Sequence, residues 1–70
     1  MNIGSQFKIS GSCAVGYVHA SIYDVGARAQ TAYDVAEMMN YAQNNGWQYV
    51  DSSTMHDGVN GSVFMFFEKR

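Results

Sequence analysis

The stretch NNGWQYV (residues 44–50) reads as a helix stopping and a strand starting within about three residues. Upstream of it, Ala32, Val35, Met38, Met39 and Ala42 fall at the i, i+3, i+4, i+7 spacing of one helical face. Asn44-Asn45-Gly46 then offers a left-handed glycine just past the helix, and the residue after such a glycine often packs back on the last turn. That residue is Trp47, so the indole is expected to close the helix end while opening the next strand. At the other end Thr31 is suited to cap the helix, with Asp34 three residues later, and Asp34 and Glu37 place negative charge in the first turns. A helix over residues 32–45 is predicted.

Downstream, residues 47–55 (WQYVDSSTM) and 62–70 (SVFMFFEKR) read as the strands of a hairpin, joined by HDGVNG with its Asp-Gly and Asn-Gly turn signals. The last strand is apolar on both faces, Val63, Met65 and Phe67 pointing one way and Phe64 and Phe66 the other. Upstream of the helix, residues 14–25 are rich in β-branched and aromatic residues. Ala14, Gly16, Val18, Ala20 and Ile22 make a small apolar face suited to lie beneath a helix, and Val15, Tyr17, His19, Ser21 and Tyr23 make a mixed one. Residues 6–10 alternate Phe7 and Ile9 with polar neighbours before Gly11-Ser12 interrupts, so residues 1–12 read as an arm or a short edge strand. The expected fold is a single α+β domain over residues 1–70, one helix on a three- or four-stranded antiparallel sheet, in βαββ or ββαββ order.

Composition narrows what such a domain does. A 70-residue chain buries only about 60% of the surface that its unfolded form exposes, so a staple is expected. The single Cys13 excludes an internal disulfide, and His19 and His56 lack the spacing of a metal site, which leaves association. Apolar residues make up 47% and charged residues only 14%, about half the usual charged share, so the surface is short of charge. One helix can shield only one face of the sheet. The other face of the last strand therefore needs a second copy or another protein. The net charge of -2 and only four scattered basic residues argue against nucleic acid. Nothing approaches an apolar membrane span, and a cytoplasmic protein is expected.

Residues 35–70, running through an amphipathic helix, Asn-Gly-Trp, a Tyr-Val-Asp-Ser strand, a glycine-rich turn and a Val-Phe-Met-Phe-Phe-Glu-Lys-Arg finish, resemble the small bacterial and phage domains grouped as domain of unknown function 4177. The resemblance covers the C-terminal half and implies an α+β fold with no assigned activity. The βαββ layout is also similar to dodecin, a flavin-binding oligomer whose small subunits stack the cofactor on an aromatic side chain.

No catalytic set emerges. Cys13 and His19, six residues apart on one strand, would lie about 20 Å from each other, and Cys13 with His56 lacks an orienting third group. Asp51, His56 and Asp57 bracket the hairpin, where turn chemistry accounts for Asp and Gly. Neither an enzyme nor a cofactor is expected. The candidate partner-binding residues are Trp47 and Tyr49, Phe64 and Phe66 on the last strand, and Tyr33, Glu37 and Tyr41 on the outer helix face. Met38 and Met39 are read as core. The leading expectation is a non-enzymatic homo-oligomer made through an apolar sheet face, acting as a phage or bacterial regulator or inhibitor of a host or bacterial protein. The alternative is a dodecin-like carrier enclosing a flat aromatic cofactor.

Overall fold

The computed structural model describes residues 3–70 and has ββαββ order, preceded by one turn of helix. That turn is α1 (Ile3–Gln6), followed by β1 (Phe7–Ser10), β2 (Cys13–Ser21), α2 (Val25–Asn44), β3 (Trp47–Asp57) and β4 (Asn60–Lys69). The four strands form one antiparallel sheet in the order β1-β2-β4-β3. The α+β class is as the sequence predicts, with four strands rather than three. The part of residues 1–12 expected as an arm or edge strand that is described here forms α1 and the short edge strand β1; residues 1 and 2 lie outside the described residues.

Helix α2 is longer than its periodicity suggested and starts six residues before Thr31. Its cap is Asp24, whose side-chain Oδ1 accepts from the Ala27 backbone amide at 2.7 Å while the Arg28 amide donates to the Asp24 carbonyl at 3.0 Å. Gly26 lies in the first turn, where one glycine costs a helix only about 1 kcal/mol, which a good cap offsets. Strand β2 consequently ends at Ser21 rather than Val25, and Ile22 and Tyr23 are exposed in the connection. Thr31 has a different task from capping. Its hydroxyl donates to the Ala27 carbonyl one turn back at 3.1 Å and accepts from the Ser21 amide at 3.1 Å, fastening the helix to the end of β2. Asp24→Ala is expected to lower stability by about 1 kcal/mol, read as a shift in the urea midpoint at unchanged slope; no shift would show that the first turn of α2 contributes nothing to the fold.

The C-terminal end of α2 forms as the sequence suggests. Asn45 sits in the C-cap position, its amide donating to the Ala42 carbonyl at 3.1 Å, and Gly46 takes φ of +87°, a region that glycine enters at no steric cost. Trp47 then turns under the helix at 3% exposure. The same junction anchors the end of the chain, since the Arg70 amide donates to the Gly46 carbonyl at 3.1 Å and the Lys69 ammonium lies 4.7 Å above the indole.

The core lies between α2 and one face of the sheet, where Val18, Met38, Ala42, Trp47, Met65 and Phe67 are buried. Phe7, on the strand with the weakest sequence signal, joins the aromatic side chains of this core. The Phe7 ring stands 5.3 Å from Tyr41, 6.0 Å from Trp47 and 5.8 Å from Phe67, centre to centre, two of the three contacts edge-on. Phe7 and Phe67 are on strands separated by β2, and their rings meet because β2 presents only Ala14 and Gly16 between them. The small face of β2 therefore makes room both for the helix and for a ring reaching across from β1.

Candidate interaction surface

Alternation along the strands sends the remaining apolar side chains to the face away from α2, here called the open face. Buried Ala14, Gly16, Val18 and Ala20 face the helix, so Cys13, Val15, Tyr17, His19 and Ser21 face the other way. On β4, buried Met65 and Phe67 with half-buried Val63 face the helix, and Ser62, Phe64, Phe66 and Glu68 take the open face. The division of the last strand into two apolar sets holds. Val15 is registered opposite Phe66 and Tyr17 opposite Phe64, making a four-residue apolar centre. The Tyr17 and Phe64 rings are 5.5 Å apart, and the Ser62 hydroxyl donates to the Tyr17 oxygen at 3.4 Å. Phe66 remains 42% exposed, because none of the described elements lies above it.

Strand β3 contributes to this face through an irregularity. The register slips between Tyr49 and Asp51, so that Tyr49 pairs with Phe67 and Asp51 with Phe66, leaving Val50 as the extra residue of a bulge. Without the slip Asp51 would point to the helix side. With it, Asp51, Ser53 and Met55 join the open face. A shallow concavity of about 210 Å³ opens at the β1 end of the same face, walled by Lys8, Ser10, Cys13, Val15 and Phe66.

The candidate partner-binding residues separate on this framework. Phe64 and Phe66 are on the open face together. Trp47 does not join them: it occupies a helix-side position and is buried in the core, so the reading of it as a partner contact gives way to a structural role. Tyr49 is also on the helix side, at an edge that α2 does not cover; its ring packs on Phe67 at 6.1 Å and its hydroxyl donates to Ser52 at 3.1 Å. Tyr33 and Glu37 are exposed on α2. Tyr41, expected beside Tyr33 on the outer face, instead folds over Phe7 and is half-buried, so no exposed tyrosine pair forms. Met38 and Met39 pack as predicted, Met38 completely buried and Met39 against the core. The open-face residues outside the candidate contacts named from sequence are Lys8, Val15, Tyr17 and Asp51. Alternation on β2 signalled Val15 and Tyr17 as one face, but no local signal announces the bulge that turns Asp51.

The polar groups considered for chemistry do not converge. Cys13 and His56 lie at opposite ends of the sheet and on opposite faces, since His56 pairs with Gly61 and Cys13 with Glu68, about 23 Å away along β4 at 3.3 Å per residue. Among the described residues no three His, Cys, Asp or Glu side chains gather at a metal-holding distance, and no helix is long and apolar enough to cross a membrane. Comparison with known proteins finds no family model, no curated protein and no solved structure that matches this chain.

Proposed function

We propose that this protein is a non-enzymatic interaction module that self-associates through the open face of its sheet. The observation that carries this reading is the cluster of Val15, Tyr17, Phe64 and Phe66 at the centre of a face that no helix among the described residues covers. Stacking a second apolar sheet on it removes that area from water at about 25 cal/mol per Å² of apolar surface, the largest favourable term open to a chain this short of charge. A small, weakly charged module of this kind suits a regulatory role, in which the associated form restrains a host or bacterial enzyme.

Sedimentation equilibrium over micromolar to millimolar protein tests the association. The expected result is a concentration-dependent mass above 7.8 kDa, with Phe66→Ser weakening association by about tenfold or more because it removes the most exposed ring of the cluster. A monomer at every concentration overturns the proposal. The carrier alternative is less well supported by the concavity, whose volume of about 210 Å³ is below the roughly 300–1,000 Å³ of ligand clefts. Colourless protein that leaves added flavin fluorescence unquenched would dispose of it.

A further inference from the structure

The open face carries charge in a pattern that selects one way of stacking two copies. Across the four strands the register aligns Lys8 with Val15, Val15 with Phe66 and Phe66 with Asp51, so one transverse row reads cation, apolar, apolar, carboxylate from the β1 edge to the β3 edge. Among the described residues, Lys8 is the only lysine or arginine of this face. Arg28 is on α2, Lys69 stacks on Trp47 on the helix side, and Arg70 lies past the end of β4. The acids are all on the other half: Glu68 on β4, and Asp51 and Asp57 on β3. Asp51 is exposed, and one of its oxygens accepts from the Ser52 amide at 2.8 Å, which holds the carboxylate in place at the bulge.

Two sheets that pack face to face align their strands within about 30°, roughly 10 Å apart, and a homodimer does so about a two-fold axis. Two axis directions bring these faces together in alignment. An axis running across the strands lays each strand over its own copy; centred on this row it sets Lys8 against Lys8 and Asp51 against Asp51, and at no position does it bring Lys8 on β1 to the acids of β3 and β4. An axis running along the strands lays β1 over β3 and β2 over β4. Lys8 then stands over Asp51 of the second copy at both rims, Val15 over Phe66 and Tyr17 over Phe64. The first arrangement juxtaposes like charges and the second pairs opposite ones.

We infer that a second copy of this chain docks on the open face about a two-fold axis parallel to the strands, with reciprocal Lys8–Asp51 pairs flanking a Val15–Phe66 centre. This rests on the self-association reading and adds its geometry. The concavity fits the same arrangement: it lies between β1 and β2 beside Val15, where the second copy places its Phe66, and the symmetry fills both concavities alike. The bulge at Val50 acquires a purpose in this arrangement, since it brings Asp51 to the open face opposite Phe66.

A pair of complementary charge reversals tests the inference on the full chain. In Lys8→Asp protein both rims become acid against acid, and in Asp51→Lys protein both become base against base. Each variant alone is expected to dimerise at least about tenfold more weakly than the parent at low salt. Mixed in equal amounts, they form a heterodimer in which both rims are again opposite in sign, and affinity returns to within about threefold of the parent. Because only folded chains can restore binding, the mixture also controls for misfolding; if either variant is unfolded by circular dichroism, Lys8→Gln and Asp51→Asn, each expected to weaken dimerisation less, replace them. An axis across the strands would instead leave each single variant no weaker than the like-on-like parent and make the mixture tighter than the parent; either result, or a mixture that gains nothing over the single variants, overturns the geometry and leaves self-association standing. A monomeric parent overturns both.

Discussion

Replacing Trp47 with alanine is expected to cost about 3–5 kcal/mol of unfolding free energy. The side chain is 3% exposed and performs three tasks together: it fills the space under the end of α2, packs edge-on against Phe7, and supports the Lys69 ammonium above its ring. Removing it leaves a cavity bounded by parts of three elements, the end of α2, β1 and the end of β4, that are also held by the Gly46–Arg70 hydrogen bond and cannot simply collapse inward. Domains of this size have about 0.05–0.15 kcal/mol per residue of net stability, so the loss is comparable with the whole. Urea unfolding followed by circular dichroism reads the effect, with Trp47→Phe expected to retain much of the stability because it keeps a ring against Phe7. A Trp47→Ala loss below about 1 kcal/mol would mean that the junction between helix and sheet is held elsewhere.

The second large effect is expected at Gly16, where valine should destabilise by about 1–3 kcal/mol. A Cβ at this position would lie 2.7 Å from Cγ and 2.8 Å from Sδ of Met38, which is itself fully buried. The helix crosses β2 at the point where the strand has no side chain, and close packing leaves no slack to absorb one. The diagnostic measurement is a double-mutant cycle. Gly16→Ala and Met38→Val should be less destabilising together than the sum of their separate effects, because the shorter side chain vacates the space the new methyl group needs. Strict additivity would show that Gly16 is tolerated for its backbone and not for the approach of Met38.

The sequence carried most of the framework. The helix stripe through Val35, Met38 and Ala42, the glycine ending at Gly46, the small face of β2 and the two apolar sets of β4 were all legible, because each depends on spacing within one element and on the period of helix or strand. The start of α2 was misjudged at Thr31 because two opposing local effects, a glycine near the first turn and an aspartate cap before it, decide the boundary by their difference. Phe7 was underrated for another reason. A four-residue strand has almost no periodicity of its own, and its weight in the core comes from lying across Ala14 and Gly16 to reach Phe67.

The interaction surface divides in the same way. Phe64 and Phe66 could be assigned to one face from alternation alone, whereas Trp47 and Tyr41 were drawn into the core by Phe7, a partner distant in sequence from both. By itself, then, the chain determined which residues share a strand face or a helix stripe and that more apolar sheet exists than one helix covers. Tertiary structure alone decided that Lys8, Val15, Phe66 and Asp51 stand in one row, because strand order and the bulge at Val50 are set by pairing between segments up to 55 residues apart, as with Cys13 and Glu68. No periodicity within a segment encodes which strand will lie beside it.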